Sequence, residues 1–427
     1  MLWGGVRLFE YLLALMRVFF VISMVCFIPR LFITDKGGAS SLYIPLVPQQ
    51  GSFTLGLENI KKDFIVQICP TKNVIRIGLI TNNYATDQQG ANNLNVLEKK
   101  DLCIKKVFYP KYIFSGQDAC QNALHEDDIE FYSVYNEGFN EQMLSGLDLL
   151  LIDLPDVGIG YGYAIALLFD AIHKGMAEGL PIVVLDRPNI LGQKIEGSLC
   201  YPLHQYIPIK LPIRHGMTIG ELAQFYNMQV LNGMAHMYIV PMQDYHRVEI
   251  AQTYAQHPLN VAHTNTVYGF SICGALHYVA PFDVGVNTFH AYSCITLPAS
   301  IDFSEHRWYQ LQVILRRLGI NSSFCSYFSD SKKEYCHGLR IHIANIDQVD
   351  IFRALLVILE FFKSSGIMLA FSDYFDQAVG TPLIRNYIQG KISKKELTDF
   401  INKDLEIFYR SAFGSFMYYP LPQVSLI

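Results

Sequence analysis

No Cys-x-x-Cys pair occurs among the nine cysteines of this 427-residue chain, which leaves zinc ribbons and thioredoxin-type chemistry without their defining residues. A basic excess is missing too: 33 Lys and Arg stand against 38 Asp and Glu, a net charge of −5, and the cations are scattered singly or in pairs. That excludes nucleic acid as a partner class. Internal repeats and low-complexity stretches are also missing, so solenoid folds drop out. Gly158, Gly160 and Gly162 alternate but lack Gly-x-Gly-x-x-Gly spacing. A nucleotide-dependent enzyme therefore rests on alternating glycines alone and stays a remote alternative, and neither a cofactor nor a metal is expected.

What the chain does have is apolar residues, 51% of the total, enough to bury the cores of two domains of roughly 100–200 residues each. Residues 12–28 are apolar except for Arg17 and Ser23, follow Arg7, and close at Pro29-Arg30. The run 18–28, apolar apart from Ser23, fits a signal-peptide core of roughly 7–15 residues better than a spanning helix of about 20. Residues 1–41 are thus expected to be a signal peptide or membrane anchor plus linker. Nine cysteines cannot all pair within one chain, although removal of Cys26 with a signal leaves an even set. Cys325 and Cys336 flank a polar loop and are the best candidates for a bridge, the alternative being two buried thiols.

Beyond the linker, strand-like and helix-like runs alternate. Segments 74–80, 104–109, 129–134, 147–154 and 182–185 read as strands, and 163–176 as a long apolar helix. Such alternation predicts an α/β fold, a Rossmann-like parallel sheet domain over 42–225. From about residue 225 the texture changes to isolated strands at 238–242 and 339–343 among amphipathic helices at 307–318, 349–363 and 394–410. The expected second domain, 226–427, is smaller and α+β.

Ligands of such sheets gather beyond the carboxyl ends of the strands, and three candidate groups fall there. Thr81-Asn82 follows the first strand of the series, where its oxygens either bind a ligand or cap the turn. Asp156 opens the glycine loop, which can leave backbone N–H groups free for an anion. Asp186-Arg187-Pro188-Asn189 places an acid, a guanidinium and an amide at the sheet mouth, either to orient a sugar or carboxylate or to brace a turn. In Arg214-His215-Gly-Met-Thr218, Thr218 and Glu221 have capping-box spacing, which leaves Arg214 and His215 for a ligand.

Taken in order, Gly78-Leu-Ile-Thr-Asn82, Asp156-Val-Gly158, Leu185-Asp-Arg-Pro-Asn189 and Arg214-His-Gly-Met-Thr218 make the chain resemble the bacterial exo-β-N-acetylmuramidases. Tyr132-Ser-Val-Tyr135, Glu196-Gly197, Val240-Pro-Met242, Gly338-Leu-Arg-Ile-His342 and Phe375-Asp-Gln-Ala-Val-Gly-Thr381 extend the likeness from about Gly56 to Pro420. The resemblance implies a Rossmann-like domain, a second α+β domain with a cleft between them, and removal of N-acetylmuramic acid from the non-reducing ends of peptidoglycan fragments. It also implies a bacterial protein exported to, or anchored at, the periplasmic side of the membrane.

Departures from the family pattern fall on its catalytic-type residues. Where the family carries Gly-Pro-Glu-His-Gly, this chain reads Tyr109-Pro-Lys-Tyr-Ile113, so Lys111 occupies the glutamate position. The family's Glu-Gly-Thr-Asn segment appears as Ala275-Leu-His-Tyr278, the Ser-x-Gly-Arg-Gly-Thr loop as Ala280-Pro-Phe-Asp-Val284, and the arginine of its Gln-Asp-Val-Gly-Ala-Arg stretch is lost at Gly160. Glycoside hydrolysis uses two carboxyl groups, and a lysine cation serves as neither. Asp156, Asp186, Glu196 and Asp283 are the candidate substitutes. The expectation is a muramidase-like protein impaired in hydrolysis, with Thr81, Asn82, Asp156, Arg187, Asn189, Arg214 and His215 on the sugar. The alternative is a non-catalytic cell-wall-binding or interaction protein.

Overall fold

The computed structural model describes residues 42–43, 54–82, 84–110, 129–134, 138–202, 209–247 and 261–427. The N-terminal apolar segment, Lys111 and Tyr112 lie outside these residues. Among the described residues no helix is long and apolar enough to cross a membrane.

Apolar runs build an all-parallel central sheet. Its strands are β1 (Leu42–Tyr43), β2 (Ile77–Thr81), β3 (Ile104–Tyr109), β4 (Glu130–Ser133), β5 (Leu149–Asp153), β6 (Ile182–Leu185) and β9 (Met237–Val240), in the order β1-β9-β6-β5-β2-β3-β4. β2, β5 and β6 are buried along their whole length, as strands covered by helices on both faces must be. Nine buried residues of the helix Tyr163–Ala177 cover one part, and Phe169 stacks on Tyr226 of the helix Ile219–Gln229 at 4.4 Å between ring centroids. From β2 the chain proceeds outward to β3 and β4, then crosses back to β5 and continues the other way. The reversal puts a switch point between β2 and β5, where Thr81 pairs with Asp153 at the carboxyl edge.

β9 belongs to this sheet, between β1 and β6, so the sheet takes a strand from beyond the expected boundary at residue 225. Ala39–Ile427 forms one compact unit, tied together by the return of the chain's end to the first half. There Gln423–Val424 (β15) pairs with β7 (Lys194–Cys200), which pairs in turn with β8 (Leu211–Arg214).

The second half adds the antiparallel sheet β11-β13-β12, made of Cys294–Pro298, Asn321–Ser329 (β12) and Glu334–His342 (β13). The strand expected as isolated at 339–343 is thus the middle of three. Cys325 lies opposite Gly338 and Cys336 opposite Tyr327, which makes the two cysteines diagonal neighbours. Such positions are roughly 7–8 Å apart, beyond the reach of a disulfide, and both thiols are free. The expected bridge is corrected accordingly.

Candidate functional site

At the switch point the last residue of β5 is an acid at the end of a wholly apolar strand. Asp153 accepts from Arg187 Nε at 2.6 Å and from Nη2 at 2.8 Å, with both side chains fully buried. Asn93 adds a bond to Asp153 at 2.7 Å and one to Thr81 Oγ1 at 2.8 Å, while Arg187 Nη1 donates to the Thr86 carbonyl at 2.9 Å. The sequence offered Arg187 within Asp186-Arg187-Pro188-Asn189, either to orient a ligand or to brace the turn. The structure instead assigns the guanidinium to Asp153, which was missed; its one signal is the charge that closes Leu149–Asp153.

The other rim residues brace the same edge. Asn82 donates to the Pro155 carbonyl at 2.9 Å and accepts from the Tyr84 N–H. Asn189 donates to the Met217 carbonyl at 2.9 Å and accepts from the Leu191 N–H. Gly158 runs against it at φ +90°, where a Cβ would collide with Asn189 Oδ1. Thr218 and Glu221 form the expected capping box. Arg214 is fully buried, with Nη1 on Glu196 at 2.8 Å, Nη2 on Asp347 at 3.3 Å and Nε on the Leu191 carbonyl at 2.7 Å. Thr81, Asn82, Asp156, Arg187, Asn189, Arg214 and His215 therefore gather in one connected region, but both guanidiniums are neutralised by internal carboxylates. As direct anchors for a sugar carboxylate, Arg187 and Arg214 are corrected to framework residues.

The four candidate carboxylates differ in what they have left to offer. Asp186 is fully buried and accepts from Thr218 Oγ1 (2.9 Å), Tyr418 OH (2.6 Å) and the N–H groups of Gly220 (2.7 Å) and Arg187 (2.8 Å). Glu196 accepts from Arg214 and from the Phe352 N–H at 3.1 Å. Asp283 accepts from Tyr327, Ser329, Ser331 and the Gly285 N–H; burial raises its pKa, and these bonds together bring it below the ordinary value. Asp156 alone keeps an oxygen without a partner: Oδ2 takes the Gly158 N–H at 2.7 Å, while Oδ1 has none and the side chain is 6% exposed. His215 Nε2, also without a hydrogen-bond partner, lies 3.4 Å from Asp156 Oδ2, on a ring whose Nδ1 accepts from the Met217 N–H at 3.2 Å. The two groups form a buried acid–imidazole couple at the loop after β5, the kind of pair that can exchange a proton with a bound hydroxyl.

Burial pushes Asp186 up to about 7 against hydrogen bonds from Tyr418, Gly220 and Thr218 that favour its anion. A carboxyl group with a raised folded-state pKa binds its proton more tightly folded than unfolded, so its contribution is fully present below about pH 4 and fades as pH rises to about 7. The expected outcome is a stability that declines over that window and a flatter pH slope in Asp186→Asn. Urea unfolding at a series of pH values reads the slope; parallel slopes in the two proteins contradict the assignment.

Beyond the glycine loop lies a row of aromatic rings. Tyr161 meets Phe270 at 5.9 Å, Phe270 meets Tyr292 at 4.9 Å, and Tyr292 meets His277 at 6.1 Å. His277 lies 5.1 Å from Tyr278, which lies 5.9 Å from Tyr374. Desolvation lowers the His277 pKa, partly offset by Asp283. Among the described residues no group of three His, Cys, Asp or Glu side chains is placed to hold a metal.

A seven-strand Rossmann-like core with a polar carboxyl rim and a second, aromatic-bearing half defines an α/β protein with its switch point between β2 and β5. The family models for exo-β-N-acetylmuramidase NamZ match residues 77–262 with the N-terminal model and 309–418 with the C-terminal one, and the chain belongs to that family. It is 24% identical over 357 residues to the peptidoglycan β-N-acetylmuramidase NamZ of Bacillus subtilis strain 168, across 79% of this chain and 85% of that one. In fold it resembles two DUF1343 family proteins of Bacteroides fragilis NCTC 9343. One matches with a TM-score of 0.69 at 20% identity and the other with 0.63 at 17%, each over 86% of this chain and 99% of the other.

Proposed function

We propose that this protein takes the N-acetylmuramic acid end of peptidoglycan fragments at the carboxyl rim of its sheet and holds that sugar better than it cleaves it. The observation that carries this reading is the state of the four candidate carboxylates. Asp186, Glu196 and Asp283 are buried acceptors for internal donors, and only Asp156 keeps an unpartnered oxygen. A glycosidase needs one carboxyl group to protonate the leaving oxygen and a second for water or the anomeric carbon. Asp156 with His215 supplies one proton-handling couple, and Lys111 stands where the family has its glutamate. The name of the Bacillus subtilis relative supports peptidoglycan as the source of the sugar. The apolar run at 18–28 supports export or membrane anchoring on the side where that polymer lies.

In this reading Asp156 and His215 meet the sugar hydroxyls, Lys111 is the cation for the lactyl carboxylate, and Arg187 and Arg214 keep the rim in shape. Calorimetric titration with N-acetylmuramic acid tests it. Saturable binding at or below millimolar sugar is expected, weakened by His215→Ala and by Lys111→Met; absence of binding at millimolar sugar overturns the muramic-acid reading.

A further inference from the structure

We propose that the free edge of β12, with the flank of the helix Glu305–Arg317 beside it, is where a second copy of this chain docks, the two β12 strands pairing antiparallel about a two-fold axis at Phe324. The three-stranded sheet ends at β12, and among the described residues no strand lies on its other side. Such edges are ordinarily blunted by a charge, a proline or a bulge. Asn321–Ser329 has none of the three: its nine residues are uncharged, lack proline and stay in unbroken register with β13. The strand offers about 30 Å of edge for backbone pairing. Exposed apolar side chains gather along it. Phe324 and Phe328 of β12 are 48% and 49% exposed, Tyr309 and Val313 of the helix 56% and 51%, and Tyr335 of β13 58%. Tyr309 meets Phe324 at 5.2 Å and Phe328 meets Tyr335 at 5.6 Å between ring centroids, so the rings touch rather than scatter. Contiguous apolar surface of this kind marks an interface, whereas single exposed rings do not.

Self-complementarity selects a second copy as the occupant. With the axis at Phe324, each Phe324 pairs with its copy, Ser322 stands opposite Ser326, Ser323 opposite Cys325 and Asn321 opposite Tyr327, so no charge faces a like charge along the strand. Glu305, Tyr309, Gln312 and Arg316 recur at i, i+4, i+7 and i+11, which makes one stripe of the helix. That stripe borders β12, since Gln312 Nε2 donates to the Ser322 carbonyl at 2.6 Å and Tyr309 meets Phe324. It starts with an acid and ends with a base. A two-fold axis runs the copies antiparallel, which sets the Arg316 end of one helix toward the Glu305 end of the other and gathers Tyr309 and Phe324 with their copies into a four-ring centre. The helix also reaches β13, where Trp308 would lie 2.9 Å from a Cβ at Gly338. A helix over β12 and β13 and its copy stand about two strand spacings, roughly 10 Å, apart, the distance at which helices pack. A foreign partner would have to bring an uncharged strand and an oppositely polarised helix in one register, and this chain carries that combination itself.

Analytical ultracentrifugation of the full chain tests the proposal, and the wild type is expected to be a dimer with a dissociation constant at or below about 10 µM. Phe324→Lys and Tyr309→Lys place like charges at the axis and are each expected to weaken the dimer at least about tenfold. Both rings are half exposed, so the far-UV circular dichroism spectrum of each variant is expected to stay that of the wild type. A cysteine at position 323 reads the register: Ser323→Cys faces Cys325 of the other copy at the roughly 4.5–5.5 Å Cα separation of directly opposed residues, within disulfide range. A thiol oxidant is expected to convert this variant into a covalent dimer, and to leave Ser323→Cys/Cys325→Ser without one. A wild-type chain that stays monomeric up to about 100 µM, a dimer that survives both lysine variants, or a Ser323→Cys chain with no Cys325-dependent crosslink overturns the proposal.

Discussion

Arg187→Met is expected to lower the free energy of unfolding by about 3–5 kcal/mol, because it strands the Asp153 carboxylate in a fully buried position with Asn93 as its remaining side-chain donor. The converse variant, Asp153→Leu, takes from the buried guanidinium the carboxylate that holds its Nε and Nη2 and is expected to cost as much. The double variant Asp153→Leu/Arg187→Met removes both charges together and should recover most of the loss, since an apolar pair of similar volume replaces a buried ion pair at little net cost. Urea denaturation of the four proteins measures the cycle. Single variants that each cost under about 1 kcal/mol place the pair among weak surface-type ion pairs and remove it as the framework of the rim.

Restoring the family's acid has the other large effect. Lys111→Glu is expected to raise release of N-acetylmuramic acid from a chromogenic glycoside by about 10²-fold, the lower end of the 10²–10⁴ that one general acid or base contributes. The gain stays at that end because hydrolysis uses a second carboxyl group, and by the family resemblance its position is the one held here by Ala275. Lys111→Met is the control: it removes the cation without supplying an acid, so it weakens binding as above and does not raise the rate at saturating glycoside. An equal gain in Lys111→Met assigns the effect to loss of charge, and no gain in Lys111→Glu contradicts the role given to that position.

Fold class was legible because it rests on local patterns. Ile182–Leu185 is an apolar, β-branched run between Pro181 and Asp186, Ile104–Tyr109 buries its apolar positions around the half-buried Lys105 and Lys106, and Tyr163–Ala177 keeps helical periodicity over four turns. The strands that were missed hide their pattern. β12 reads Asn-Ser-Ser-Phe-Cys-Ser-Tyr-Phe-Ser, serine-rich like a loop, and only Tyr327 and Ser329 of its inward face are fully covered. β7 carries Gly197 at φ +87° and a register shift between Glu196 and Leu199, which breaks its alternation. β9, by contrast, was expected as a strand at 238–242 but assigned to the second domain, and its pairing with β6 places it in the central sheet.

The site was legible as a set of positions but not as a set of roles. The three motifs that follow strands of the parallel sheet do converge, since such strand ends share an edge, and the Arg214 motif joins them from the end of β8 through His215 and Asp156. Which side chains remain available is decided by partners far away in sequence. Arg187 meets Asp153 at a separation of 34 residues, Arg214 meets Asp347 at 133, and Tyr418 closes on Asp186 at 232. No local spacing encodes these bonds, and they convert Arg187, Arg214 and Asp186 from ligand candidates into structural ones. His215 and Asp156 survive as candidates for the opposite reason: each keeps a buried polar atom that nothing in the fold satisfies.

Binding better than cleaving is the central claim, and wild-type protein mixed with a chromogenic N-acetylmuramic acid glycoside tests it most directly, with turnover and affinity measured on the same preparation. The expected result is saturable binding with release at least 10²-fold below the range of about 1–10³ per second that is ordinary for enzymes. Turnover within that range, with Lys111→Glu changing it little, contradicts impairment and makes the protein a working muramidase whose proton chemistry runs through Asp156 and His215.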